Sequence, residues 1–144
     1  FIEPLSIEET SLETWNQHIN VNITSVFYIT KLLINKFNDN SSILNISSPS
    51  SNKTRNKWSA YCASKAALNS FTLNCSEEFK SKNIFVNALS PTKTDTPMIE
   101  KLFPDIDKNT LINPDIICDY VLNIINQSIL NKKTGIIYEV FKNN

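Results

Sequence analysis

The sequence predicts an α/β protein, a parallel sheet of about three strands with covering helices, and three observations carry that expectation. Segments with helical periodicity alternate with short segments rich in branched apolar residues, in the order helix, strand, helix, strand, helix, strand, which is the order βαβ units produce. Internal repeats and linker-like stretches are absent, so residues 1–144 read as a single domain. Hydrophobic residues make up 41% of the chain, enough for a packed core.

The elements follow in order. The first seven residues are irregular, and Thr10-Ser11-Leu12-Glu13 has the spacing of a capping box, so a helix is expected to start there. Apolar residues at Leu12, Trp15, Ile19, Ile23, Val26, Phe27, Leu33 and Phe37 continue it over residues 11–37, one helix of about 26 residues that dissolves in the turn formers Asn38-Asp39-Asn40. Residues 42–48 form a strand closed by Ser48, and a polar loop runs from Pro49 to Lys57. A helix is expected over 58–80, with Tyr61, Ala66, Leu68, Phe71, Cys75 and Phe79 turned inward. A strand at 83–89 leads into a Pro/Thr loop at 90–97 and a short helix at 98–103. Asn113-Pro114 pairs a capping residue with proline at the first helical position, starting a helix at 114–129, and a last strand spans 136–141.

Composition excludes several classes. Lys+Arg and Asp+Glu are 14 each, so no basic face for nucleic acid is expected. No apolar run approaches the ~18 residues that span a bilayer, and Phe1-Ile2-Glu3-Pro4 does not resemble a signal peptide, so a soluble, cytoplasmic protein without a membrane partner is expected. Cys62, Cys75 and Cys118 have no CxxC spacing and read as buried free thiols. His18 is the only histidine and reads as a surface or packing residue, and no metal site is expected. Trp15, Trp58 and the phenylalanines read as core. Gly135 is the only glycine, so these residues hold neither a P-loop nor a GxGxxG turn.

The residues with chemical potential are few. Tyr61 and Lys65 stand four apart on one helix and share a face; an ammonium beside a phenol favours the phenolate, so Lys65 is expected to lower the Tyr61 pKa and make it a general acid/base. Ser48 sits at the carboxyl end of a strand, where open parallel sheets bind ligands.

Asn22 in Val21-Asn22-Ile23-Thr24-Ser25-Val26-Phe27, Ile46-Ser47-Ser48, Tyr61-x-x-x-Lys65 within residues 59–68, and Val86-Asn87-Ala88-Leu89-Ser90-Pro91 together resemble the short-chain dehydrogenase/reductase family over nearly the whole chain. The resemblance implies the C-terminal part of a Rossmann-type doubly wound sheet, NAD or NADP as cofactor, and hydride transfer to or from a small carbonyl or alcohol substrate. It implies Tyr61 as proton donor and acceptor, Lys65 as the residue that tunes Tyr61 and bonds the cofactor ribose, Ser48 as the group that polarises the carbonyl, and Asn22 as support for a relay water behind Lys65. Pro91, Thr92, Thr94 and Thr96 would lie over the nicotinamide, with Thr92 standing where the family usually has glycine. The loop from Ser90 to Met98 is similar to that of reductases of ribulose 5-phosphate, which implies a sugar phosphate as one substrate class, with Lys93 on the phosphate. Helices 11–37 and 58–80 resemble the pair through which family members form homo-oligomers.

The same resemblance implies a truncated domain without the N-terminal glycine-rich cofactor-binding part, and strand 42–48 as an unpaired sheet edge. A fragment of a longer protein, a chain completed by another polypeptide and a decayed gene are all consistent with this. Two functions of different class stand: an oxidoreductase, and a non-catalytic remnant serving as an interaction or assembly module.

Overall fold

The computed structural model describes residues 1–141. Its elements are α1 (Leu12–Ile19), a π-helical turn (Asn20–Thr24), α2 (Ser25–Leu33), β1 (Ser41–Ile46), α3 (Ser59–Glu78), β2 (Ile84–Pro91), α4 (Pro97–Leu102), α5 (Pro114–Leu130) and β3 (Ile137–Val140). The three strands form one parallel sheet in the order β1-β2-β3, with Ile43 opposite Val86 and Ala88 opposite Ile137. β1 is therefore an edge with one partner strand among the described residues, as expected. No helix among the described residues is long and apolar enough to cross a membrane, and they contain no group of three metal-ligating side chains.

Strand alternation divides the core between two faces. Ile43, Ile84 and Val86 meet Cys75, Phe71 and Phe79 of the α3 side. On the other face Leu44 and Leu89 meet Ile112, Ile117, Val121 and Ile124 of the α5 side. β2 is buried from Ile84 to Ser90 because helices cover it on both sides and strands flank it. Asn87 survives there by pairing fully: its amide donates to Ser128 Oγ and the Lys133 carbonyl, and its oxygen accepts from the Ile136 amide.

The first helix departs from expectation in three ways. Ser11 rather than Thr10 is the N-cap, its hydroxyl accepting from the Thr14 amide, while Thr10 donates to the Ser6 carbonyl. The single helix is interrupted by the π turn, which widens one turn around buried Asn22. It also ends at Leu33, short of Phe37. β1 stops at Ile46, so Ser48 lies beyond the strand and caps a 3₁₀ turn at Pro49–Ser51. β2 runs on to Pro91 because the Thr92 amide still reaches the Val140 carbonyl.

In α3 the buried stripe is Tyr61, Ser64, Leu68, Thr72 and Cys75, and Ala66 is exposed. Small polar residues replace apolar ones on this stripe because each hydroxyl returns to its own helix: Ser64 donates to the Tyr61 carbonyl and Thr72 to the Leu68 carbonyl. Their small size lets the sheet approach, and Asn45 of β1 donates to Thr72 Oγ1 at 2.9 Å. Left-handed turns fall on Asn40, Lys57, Asn83 and Lys132 as well as Gly135. At Gly135 a Cβ would stand 2.8 Å from Ser76 Oγ, so that turn needs glycine for space as well as for φ.

Candidate active site

The carboxyl ends of β1 and β2 open into a cleft of about 780 Å³. Ser48, Tyr61, Lys65, Pro91, Thr92, Thr94 and Thr96 all line it. Asn22 does not; it lies behind, 5% exposed.

Each lining residue is held by the fold beneath it. Ser47 donates to Asn69 Oδ1 of α3, whose amide donates to Ser51 Oγ, so the loop carrying Ser48 is tied to the helix carrying Tyr61 and Lys65. The Ser48 oxygen accepts from the Ser50 amide, which fixes the side chain while leaving its proton to donate elsewhere. Tyr61 stands in the first turn of α3, 8% exposed, with the Trp58 ring edge-on at 5.7 Å and the His18 ring at 6.5 Å. One turn on, the Lys65 ammonium donates to the Ile46 carbonyl at 2.9 Å and sits 5.9 Å from the Tyr61 ring centre.

That geometry corrects the expected electrostatics. Burial raises the Tyr61 pKa above its ordinary value, outweighing the nearby Ser48 hydroxyl, which favours the phenolate. The Lys65 ammonium bonds a backbone carbonyl rather than the phenol, and the charge that works against burial here is the Arg55 guanidinium. Burial also lowers the Lys65 pKa. The phenol is thus held protonated across the neutral range.

The Pro91–Thr96 loop is braced without glycine. Thr92 is not among the residues with left-handed backbone, so its side chain is accommodated without strain. Lys93 accepts from the Ile112 amide through its carbonyl, and the Asp95 amide donates to the Ile112 carbonyl, which ties the loop to the approach of α5. The Thr94 and Thr96 hydroxyls turn to carbonyls two residues back, and Thr96 caps α4.

The amide of Asn22 donates to the Phe1 carbonyl and to Ser64 Oγ at 2.9 Å each, and its oxygen accepts from the Phe1 nitrogen. Ser64 directly precedes Lys65, so the π turn is bonded to the helix segment that carries the ammonium. His18 is fully buried, not a surface residue; the Glu3 amide donates to Nε2 and Nδ1 donates to the Thr14 carbonyl at 2.9 Å. It packs between Phe1 and Tyr61 and forms part of the wall behind the phenol.

Two further lining residues were not expected. Trp58, read as core, is half-buried and stacks on Phe103, with Arg55 over its outer face. Cys118, expected to be buried, is exposed at the cleft. The available signal was the Arg55-x-x-Trp58 pair in a polar loop, where an aromatic has no helical neighbour to bury it.

An open parallel sheet covered on both faces, with a largely apolar cleft carrying a few polar groups at the carboxyl ends of its strands, is the architecture in which α/β proteins bind ligands. The short chain dehydrogenase family model matches residues 2–107, and the chain belongs to that family. It is 34% identical over 106 residues to the acetoacetyl-CoA reductase of Acinetobacter sp., covering 72% of this chain and 43% of that protein. It is 35% identical over 103 residues to the 3-oxoacyl-[acyl-carrier-protein] reductase of Thermotoga maritima, covering 70% of this chain and 42% of that protein. Among solved structures, a short chain dehydrogenase of Salmonella enterica superposes with a TM-score of 0.85 at 26% identity, covering 95% of this chain and 57% of that one. A short chain dehydrogenase of Shigella flexneri complexed with NADP superposes with a TM-score of 0.84 at 26% identity, covering 94% and 57%. The chain thus spans well under two thirds of the length of these relatives.

Proposed function

We propose that these residues form the catalytic end of an NAD- or NADP-dependent oxidoreductase acting on a small carbonyl or alcohol, with Tyr61 as general acid/base. The observation that carries this reading is the convergence of the Tyr61 phenol, the Ser48 hydroxyl and the Lys65 ammonium on one cleft at the ends of β1 and β2. Relatives named as reductases and a neighbour complexed with NADP support it.

The residues fit a nicotinamide cofactor. The Lys65 ammonium spends one N–H on the Ile46 carbonyl and keeps two donors for ribose hydroxyls, with Tyr61 beside it. Pro91, Thr92, Thr94 and Thr96 would line the nicotinamide end. The single glycine, Gly135, lies far along the chain, so no glycine-rich pyrophosphate turn is within residues 1–144, and we read them as one short-chain dehydrogenase domain without that part. When bound, the cofactor supplies or accepts the hydride at the reacting carbon.

In reduction, Ser48 donates to the carbonyl oxygen and orients it, and Tyr61 gives that oxygen its phenolic proton as the alcohol forms. The Lys65 charge stabilises the phenolate left behind until solvent returns the proton. Asn22 acts as a positioning residue, holding Ser64 and with it the turn of α3 that carries Lys65. Oxidation runs the same steps backwards. A cytoplasmic location agrees with three free thiols, and self-association through α1, α2 and α3 agrees with the apolar side chains they expose.

The test is NAD(P)H oxidation by the protein as encoded, with a panel of small ketones and aldehydes. Tyr61→Phe should lower turnover by about 10²–10⁴, the span of a positioned general acid. Equal turnover by this variant would refute the assignment. The exposed apolar residues Tyr28, Ile29 and Leu32 favour the second reading, an assembly module without catalysis, which predicts no cofactor-dependent turnover at all.

A further inference from the structure

Resting on the oxidoreductase reading, we propose that the substrate carries an anionic oxygen group, phosphoryl or carboxylate, bound near its reacting carbonyl by Arg55 and Lys93. Charge in the cleft is one-sided. Lys53, Arg55, Lys65 and Lys93 line it and no Asp or Glu does, although the whole chain carries 14 cationic and 14 anionic side chains. Among the described residues the ion pairs engage Lys57, Lys80 and Lys108, so none of the four cleft cations is neutralised by a carboxylate.

Two of the four flank one pair of rings. The Arg55 guanidinium lies 5.1 Å from the Trp58 ring centre, Trp58 stacks on Phe103 at 6.1 Å and 28°, and the Lys93 ammonium lies 4.3 Å from the Phe103 ring centre. The result is a cation, two stacked rings and a second cation. Ring faces attract a cation without cancelling its charge or occupying its N–H donors, so both remain able to bind an anion. Arg55 is the only arginine in the sequence, the side chain best shaped for bidentate bonds to a phosphoryl or carboxylate group. The same Trp58 ring stands edge-on to Tyr61, which places this charged wall next to the phenol. Lys65 is assigned to the cofactor ribose, and Lys53 lies over Phe141 rather than over the Trp58–Phe103 pair beside the phenol, which leaves Arg55 and Lys93 as the anchoring pair.

Titration calorimetry with matched probes tests this: dihydroxyacetone phosphate against dihydroxyacetone, and 3-oxobutanoate against butanone. At low salt the anionic member of at least one pair should bind about tenfold or more tightly than its neutral twin, and the pair with the larger gain tells phosphoryl from carboxylate. The preference should shrink as salt rises. Arg55→Gln and Lys93→Gln should each reduce it several-fold and the double variant should remove it, whereas Lys36→Gln, remote from the cleft, should not. Both cations are exposed, so unchanged thermal transitions will show that the variants fold. Equal binding of the twins, no binding of either, a preference that survives the double variant, or one that disappears when NADP or NAD saturates the protein would each overturn the proposal. Tyr61→Phe should keep the anion preference while losing turnover. Turnover retained by Tyr61→Phe refutes the catalytic reading and leaves anion selectivity standing, whereas an inactive Tyr61→Phe with equal twins refutes the substrate class alone.

Discussion

Tyr61 concentrates the chemistry, and its burial sets the pH behaviour. A phenol whose pKa is raised in the folded protein stays protonated at neutral pH, and the donor form is lost only as pH climbs through that raised value. Carbonyl reduction should therefore be flat in kcat across the neutral range and fall in alkali, as Lys65, whose pKa burial lowers, loses its charge and the phenol ionises. A pH profile of NAD(P)H oxidation with a decline already centred near 7 would contradict this. Ser48→Ala should cost turnover while leaving the thermal transition close to unchanged, since that half-buried hydroxyl accepts from the Ser50 amide and otherwise meets only the Tyr61 phenol in the cleft. The thiols should divide by environment. Burial, helped by Glu78, pushes Cys75 up to about 11, whereas Cys118 is exposed at the cleft. Alkylation followed by peptide mass mapping should find Cys118 modified first and Cys75 only after unfolding.

Elements differ in how far their sequence announces them. The periodic segments of α3 and α5 and the branched runs of β1 and β2 appear within a residue or two of their expected limits, since core packing on both faces reinforces local preference. The π turn was not legible. Apolar spacing continues through Ile19, Ile23 and Val26 as in an ordinary helix, and the signal for the interruption is a tertiary one, the bonds of Asn22 to Phe1 and Ser64. Ser11 likewise displaces Thr10 as cap because Thr10 is already spent on the Ser6 carbonyl. Tyr61, Lys65 and Ser48 were legible as a group by motif and spacing, but the direction of the ammonium was not, because it depends on where the Ile46 carbonyl ends β1. Trp58 was misread as core because a ring in a loop shows no periodicity. Asn22→Ala, which leaves the backbone of Phe1 without its partner, should destabilise the fold by about 1–3 kcal/mol in denaturant titration. An unchanged midpoint would mean that the π turn is organised by something other than this amide.

At the scale of the whole molecule the sheet is asymmetric. β2 is flanked by a strand on each side, whereas β1 has one partner strand among the described residues, and Ile46 at its end is 48% exposed. Beside that edge lies a small apolar groove of about 250 Å³ between α2 and β1. Exposed Phe27, Tyr28, Ile29 and Leu32 on α2 and Leu73 on α3 extend this sticky surface, so sedimentation of the isolated chain should show association that grows with concentration. Charges at Ile29 and Leu32 should reduce it, and a chain that stays monomeric at high concentration would remove the case for self-association. The left-handed turns carry a different consequence. Glycine is kept only at residue 135, where Ser76 leaves no space for a methyl group, while Lys57 and Lys132 hold the same backbone conformation with long side chains. Exchanging Lys132 for glycine should therefore raise the melting temperature, with a gain of about 0.5–1 kcal/mol, and Gly135→Ala should lower it by more. A sequence this sparing with its smallest residue leaves its bends as the places where heat tolerance is easiest to add.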